Sequence, residues 1–446
     1  MPAEPSDVAE GPAGPSADTA AIPRRGTGVA VLSFFGLKMV LGATILVASA
    51  RWLSVGNFAV FSQLLVLIAY LATIGTAGVQ TGLIRQIAAA ENDDAVAREV
   101  RAAFSIWAVL ALIVCLGSWL FATPIARFLT GFPQSAWVVP WLAVLAVLTG
   151  LGQLLCSVLT GTDRASASLF AQGVGLVAGT IPALALLRWN MPNAAALLFS
   201  GGQSVTLLIA AARIRRVLGQ AVGTPGSVMP EIRRLLGFSG AFLLVASIMP
   251  LTLLELRAIY RSTLGLEALG YWLAANRISD VNTQLMGLYM VQVFLPGMTA
   301  ARGKDTAWRL VRHTFFVATT GMATGLIIFL LAPSLLVGLF LSAKFLPAVP
   351  LVIGYFLGDT LRASASLASY TAMSQRRLVA YVGFEAAAAA LIAASLMLLL
   401  HFDVPNAPAI AYVGSYILMA IVAWRFIAKL LGRSHAAAMP AGMTTD

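Results

Sequence analysis

Apolar residues run along this chain in blocks of about twenty, and short stretches between the blocks hold nearly all of its charge. Gly28 to Ala50, Leu64 to Leu83 and Leu326 to Leu341 are long and almost free of charged side chains. A helix that crosses the hydrocarbon of a bilayer needs about 20 such residues, whereas barrel strands would be short and strictly alternating. The pattern predicts about 12 membrane helices, over 28–50, 60–83, 102–122, 138–160, 167–187, 194–213, 237–260, 269–295, 313–331, 348–372, 378–400 and 407–428. The connections are short. The longest, 214–236, carries Gly219, Gly223, Pro225, Gly226 and Pro230 and reads as a linker between two halves of six helices.

The expected organisation is therefore all-α and polytopic. A tail at 1–25 leads into a six-helix bundle at 26–213, the linker at 214–236, a second six-helix bundle at 237–430 and a tail at 431–446. Residues 1–23 are rich in Pro, Ala, Gly and Ser and carry Glu4, Asp7, Glu10 and Asp18, a composition expected to stay disordered. Arg24 and Arg25 before an apolar stretch ending Ala48-Ser49-Ala50 imitate a twin-arginine signal peptide. The stretch is long for that role, holds Lys38 near its middle and runs on into further apolar blocks.

Composition agrees with lipid as the solvent. Hydrophobic residues make up 59% of the chain and charged ones 11%, against about 25% charged in soluble domains. The net charge of +11 is explained by topology. With both termini cytoplasmic, most of the 29 Lys and Arg fall on the cytoplasmic side, led by Arg213, Arg215, Arg216, Arg233 and Arg234 and then Arg302, Lys304, Arg309 and Arg312. A nucleic-acid partner is not needed to account for the charge and none is expected. The expected location is the bacterial inner membrane. Trp52, Trp119, Trp137, Trp189, Trp272 and Trp424 fall near expected helix ends, as interfacial belt residues do. Cys115 and Cys156 read as small apolar packing residues, and His313, His401 and His435 have no common spacing, so no metal site is expected.

The halves look related. Arg51 and Gly56 recur as Arg261 and Gly265, Pro124 as Pro333, and Arg164 as Arg376, all about 210 positions apart. With six helices in each half, the repeats would be parallel, related by an axis along the membrane normal.

Charges inside the apolar blocks are the candidate functional residues, because a charge at the bilayer centre costs about 2.5–3.5 kcal/mol on insertion scales. Helix 1 carries Lys38. Helix 8 carries Arg277, Asp280 and Gln284 at a spacing that puts them on one face. Helix 10 carries Tyr355, Asp359, Arg362, Ser366 and Ser369 on a similar stripe, and helix 11 carries Glu385. Glu255 follows Pro250, which should kink helix 7. Two of these groups could be plain internal ion pairs, Arg277–Asp280 and Arg362–Asp359, and Glu255 could snorkel to the interface. Taken together they fit one polar cavity. Its cations (Lys38, Arg277 and Arg362) suit an anionic headgroup such as a diphosphate, and its acids (Asp280, Asp359, Glu385 and Glu255) suit proton or sodium coupling or gating. No cofactor is expected beyond such a coupling ion. A G-x-x-x-x-G-K-[ST] loop is absent from the sequence, and no Ser/His/Asp or metal-ligand constellation stands out, so an enzyme is not expected.

From Trp272 through Ile278-Ser279-Asp280, Gln284 and Leu295-Pro296, then Ser342-Ala343-Lys344-Phe345, Gly358-Asp359 and Arg362, the chain resembles the Wzx-type polysaccharide flippases of the MOP exporter superfamily. The pattern is nearest to the lipid III flippases of the enterobacterial common antigen. Lys38, Pro250 and Glu385 also look like family positions, whereas Arg277 does not. The resemblance implies a MATE-like pair of bundles around a cationic cavity. It implies alternating access that carries an undecaprenyl-diphosphate-linked oligosaccharide (an O-antigen, common antigen or exopolysaccharide unit) between leaflets. It also implies work beside a glycan polymerase and a chain-length regulator. A MATE-type drug/cation antiporter is the first alternative and a membrane-embedded glycan polymerase or ligase the second. The antiporter should have a cavity acidic on balance, and the polymerase a sizeable periplasmic loop.

Overall fold

The computed structural model describes residues 25–432 except 77, 224–226, 302 and 376. The expected tails lie outside the described residues, save that Arg25 opens the first helix and Leu431 and Gly432 close the last. Pro225, Gly226, Arg302 and Arg376 also lie outside them.

Among the described residues, 11 helical spans are long and apolar enough to cross a bilayer, and no residue is in a strand. One span, Leu243–Ala300, is 58 residues long and overlaps a helical run, Met229–Tyr289, that is broken at Gly265 (φ 90°, ψ 171°). Only glycine adopts that backbone without strain, so Gly265 turns the chain and the one long span is two crossings. The protein is thus a multi-pass membrane protein with α1 (Arg25–Trp52), α2 (Val55–Thr76), α3 (Asp93–Leu120), α4 (Val138–Gly161), α5 (Ala165–Arg188), α6 (Pro192–Arg213), α7 (229–264), α8 (266–289), α9 (Lys304–Leu331), α10 (Val349–Ser374), α11 (Leu378–His401) and α12 (Ala407–Gly432).

Several ends differ from the sequence expectation for local reasons. α3 starts earlier because the Asn92 side chain accepts the Ala95 N–H at 2.8 Å, with Asp93 and Asp94 in the positive first turn. α2 stops at Thr76, and after Gly78 (φ 65°) a separate helix, Val79–Ala88, covers the rest of the expected block. The connection after α6 contains a helix, Arg215–Gly223, and α7 begins at Met229. Helix continues through Pro250, and the non-helical residue of the run is Gly265. Past Tyr289 a π-turn, Met290–Phe294, precedes Leu295–Ala300, where Pro296 lacks the N–H an α-helix would use.

The two halves repeat one plan of packing. α1 lies on α5, and α2, α3 and α6 surround α4; in the second half the 229–289 run lies on α11, and α8, α9 and α12 surround α10. Each half also has a short helix after its third crossing, Ala122–Thr130 and Pro333–Phe340, followed by a 3₁₀ turn, Pro133–Trp137 and Ala343–Ala348. These connections lie on the face opposite the 214–228 connection, here called the far face; the other is the linker face.

Without a hydrophobic force between helices in lipid, close association depends on small residues that let backbones touch. α5 and α6 show this at Gly179 and Gly202, where an added Cβ on Gly202 would land on the Gly179 backbone and one on Gly179 would meet the Phe199 carbonyl. Gly202→Leu is expected to separate α5 from α6, lowering the thermal midpoint in detergent by the equivalent of at least about 1–3 kcal/mol; an unchanged midpoint would contradict this packing.

Trp119 and Trp189, near the ends of α3 and α5, are 71% and 68% accessible, so both are free to meet lipid or headgroups. Trp272 is not. It is 1% accessible, because α8 begins just after Gly265 and Trp272 sits well inside it, stacked edge-on against Tyr260 of α7 at 5.0 Å. Trp424 stacks on Trp308 at 6.4 Å, joining α12 to α9.

The halves meet on the far-face side through α2 and α8. Gly270 lies against the Val55 backbone and Leu266 covers Gly56, while Phe345 packs edge-on against Phe58 at 5.0 Å. Toward the linker face burial falls away on the first helix of each half. On α1 no described side chain from 30 to 44 is buried and burial begins at Ile45; on α7 none from 236 to 253 is buried and burial resumes at Leu254, the repeat-equivalent position. A second junction on the linker face ties the start of α7 to α3, with ion pairs Arg98–Glu231 at 3.5 Å and Arg234–Glu99.

Candidate functional site in the junction of the two halves

Where α2 meets α7 and α8, the sequence places Ser62-Gln63 opposite Arg257 and Arg277. Arg257 Nη1 donates to Gln63 Oε1 at 3.4 Å and Arg277 Nη2 to the Ser62 carbonyl at 3.3 Å, so both cations bridge the halves. Arg257 is 6% accessible, lies 6.0 Å from the Trp272 ring centre, and has no carboxylate within ion-pair distance among the described residues. Its Nε and the Nε2 of Gln63 are buried without a partner. Asn276, with its amide oriented by the surrounding donors, accepts from Arg257 Nη2 at 3.2 Å and Trp272 Nε1 at 3.1 Å and donates to Tyr355 OH at 3.3 Å.

Arg277 pairs with Asp280 at 3.6 Å. Its side chain is 29% accessible and that of Asp280 49%, and Gln284 one turn further on is exposed. The polar stripe of α8 therefore grows more accessible from the closed junction toward the linker face.

A second polar group is enclosed by the C-terminal half. Asp359 of α10 is fully buried; it accepts from Ser279 Oγ of α8 at 2.7 Å and from Tyr412 OH of α12 at 2.8 Å. Arg362 Nη1 donates to the same Tyr412 hydroxyl at 3.4 Å, so Asp359 and Arg362 are joined through Tyr412 in place of the direct ion pair the sequence suggested. Tyr412 can approach α10 this closely because residue 358 is glycine; a Cβ there would overlap the Tyr412 ring. Arg362 also lies 5.9 Å from the Tyr416 ring centre. Beyond it, Ser369 Oγ donates to Glu385 Oε1 at 3.4 Å across a pocket lined by Arg362, Ser366, Glu385 and Tyr416 that has room for about one water molecule.

The two groups are continuous. Tyr355 accepts from Trp272 Nε1 at 2.5 Å and stacks on Tyr412 at 4.6 Å, and Ser279 is the neighbour of Asp280. The structure thus brings Arg277, Asp280, Asp359, Arg362 and Glu385 into one chain of contacts. Lys38 and Glu255 stand apart from it: both are exposed, with no hydrogen bond or ion pair to another described residue, and Lys38 lies on the part of α1 where no described side chain is buried. Sequence reasoning missed Arg257, Gln63, Asn276 and Tyr412. Arg257 was hidden because the apolar block seemed to end at 260, which put it at the lipid boundary, whereas α7 runs on to Gly265 and carries Arg257 into the junction. Among the described residues no three His, Cys, Asp or Glu side chains gather as metal ligands would.

Two repeats of six helices, closed on one face by α2 and α8, define the fold class of the MOP superfamily transporters. An inward-facing multidrug resistance MATE family transporter of that superfamily superposes with a TM-score of 0.71 at 13% identity, covering 90% of this chain and 96% of the other. The lipid II flippase MurJ in its inward closed conformation gives 0.70 at 11% identity over 92% and 88%. The sequence gives the family: the chain belongs to the polysaccharide biosynthesis protein family, whose model matches residues 25–302. It is also 27% identical over 288 residues to the succinoglycan biosynthesis transport protein ExoT of Rhizobium meliloti (strain 1021), covering 61% of this chain and 53% of that protein. The chain spans about half the length of this curated relative.

Proposed function

We propose that the protein is a flippase that moves a lipid-diphosphate-linked oligosaccharide, of the undecaprenyl-diphosphate class, from the cytoplasmic to the periplasmic leaflet of the inner membrane. The observation that carries the reading is the stripe Gln284–Asp280–Arg277, increasingly accessible toward the linker face, which leads to Arg257, a buried cation with no carboxylate at ion-pair distance among the described residues. A diphosphate supplies the missing negative charge, and the lipid tail stays in the bilayer while the sugar passes between the halves. The excess of Lys and Arg near the 214–228 connection supports a cytoplasmic linker face, with both termini on that side. The halves then divide at that connection, each a six-helix bundle that moves as a body.

In this mechanism Arg257 and Arg277, with Lys38 on the approach and Arg362 behind, neutralise the headgroup. Asp280, Asp359 and Glu385 take up and release the coupling ion, a proton or sodium, with Glu255 nearer the far face. Differential ion affinity between the two facing states biases which way the cavity opens. A glycan polymerase and a chain-length regulator would act on the product. The family and the transport role named for ExoT support a glycan cargo over a drug.

A deletion strain tests this directly. Lipid-linked oligosaccharide is expected to accumulate in the cytoplasmic leaflet and to disappear when the gene is restored. Heightened drug sensitivity with normal glycan export would make the protein an antiporter, and unpolymerised glycan on the outer surface would make it a polymerase or ligase.

A further inference from the structure

The far face is held shut by charges that reach across the junction to helix ends of the opposite half. Arg51, the last-turn cation of α1, donates through Nη2 to the Leu339 carbonyl at 3.1 Å. Leu339 belongs to the last turn of Pro333–Phe340, whose terminal carbonyls have no partner of their own within the helix. Arg261, the repeat equivalent of Arg51 near the end of α7, donates through Nη2 to the Arg127 carbonyl at 3.0 Å. That carbonyl lies in the last turn of Ala122–Thr130, the repeat equivalent of Pro333–Phe340. There the guanidinium packs on Gly131 (φ 83°), whose N–H caps the same carbonyl at 3.1 Å. Each arginine therefore places a cation on the negative end of a short helix from the other bundle. The pseudo-two-fold axis makes the two contacts a pair.

One side of the pair is reinforced. Lys344 Nζ donates to the Arg51 and Leu53 carbonyls at 3.1 and 2.5 Å, and Ser342 Oγ donates to the Ala50 carbonyl at 3.2 Å. These three carbonyls end α1 and turn the chain into α2, so Ser342 and Lys344 of the second half cap the first helix of the first half. The cations concerned are among the few on a face that topology otherwise keeps poor in Lys and Arg. Topology does not explain their presence there; the helix ends they occupy do.

We propose that Arg51, Arg261 and Lys344 form a reciprocal latch that holds the far face closed, and that the latch must break at both short helices for that face to open. The proposal rests on the alternating-access reading for its consequence but not for its test, which needs no glycan. Spin labels at Gln134→Cys and Leu346→Cys, in a background with Cys115→Ala and Cys156→Ala, report the far-face separation of the two halves by pulsed electron paramagnetic resonance in lipid nanodiscs. The protein with an intact latch is expected to give one closed population. Arg51→Gln/Arg261→Gln/Lys344→Gln is expected to add a longer distance, raising the ratio of open to closed by about tenfold or more, because charge-assisted hydrogen bonds contribute about 1.5–3 kcal/mol each. Arg51→Lys/Arg261→Lys, which keeps the charge at both helix ends, is expected to shift the ratio less. If the triple variant does not yield monodisperse protein, Arg51→Gln/Arg261→Gln, which breaks the contact at both short helices, is read the same way. Distances that superimpose on those of the intact latch in these variants overturn the proposal. An unchanged glycan phenotype beside a shifted distance would instead count against the flippase reading alone.

Discussion

Asp359→Asn is expected to stop glycan export while the protein still folds and inserts. Asp359 sits with no accessible surface and uses both carboxylate oxygens, one on Ser279 and one on Tyr412. Asparagine has the same shape but offers one acceptor oxygen, and its NH₂ faces a hydroxyl that now has to turn round to accept. The Tyr412 hydroxyl then no longer links a carboxylate to Arg362. Loss of a hydrogen bond to a charged group costs about 1.5–3 kcal/mol, which corresponds to about ten- to a hundredfold in any equilibrium that depends on it. Export measured as surface glycan should fall by at least that factor, with membrane abundance of the protein preserved. Ordinary export by Asp359→Asn would remove this carboxylate from the mechanism and leave it a packing group between α8, α10 and α12.

The second large effect concerns Arg257, and its sign separates function from scaffolding. A buried cation with no carboxylate partner carries an uncompensated desolvation cost on the order of several kcal/mol, which a neutral side chain does not. Arg257→Gln keeps a donor toward Gln63 and Asn276 and removes the charge. The thermal midpoint is expected to stay level or rise, while export is lost and lipid-linked oligosaccharide accumulates. Arg257→Lys should recover part of the activity, since an ammonium keeps the charge but lacks the planar fork that meets a diphosphate with two hydrogen bonds. A lower midpoint with intact export would show Arg257 to be glue between α2 and α7.

Much of the fold is written in the spacing of apolar residues. Blocks of about twenty can satisfy their backbone groups in lipid as helices, so the number and order of crossings follow from the sequence. The chain also carries its own symmetry, since Arg51 and Arg261, Pro124 and Pro333 occupy equivalent places in the structure. Helix ends were less legible. α3 and α9 extend well beyond their apolar blocks, because Asn92 caps α3 and the charged turns before Trp107 and Phe315 are helical where water or headgroups can solvate them.

Of the site, the sequence by itself determined which charges stand inside apolar blocks and which of them share a helix face, as with Arg277, Asp280 and Gln284. Helical periodicity is enough for that. What lies across from a face is a matter of how bundles dock, and tertiary structure alone decided it. It set Tyr412 between Asp359 and Arg362, carried Arg257 into the junction, and left Lys38 and Glu255 outside the network. The physical reason is that such contacts join residues many tens of positions apart, brought together by close approaches at Gly270 and Gly358 that periodicity along one helix does not encode.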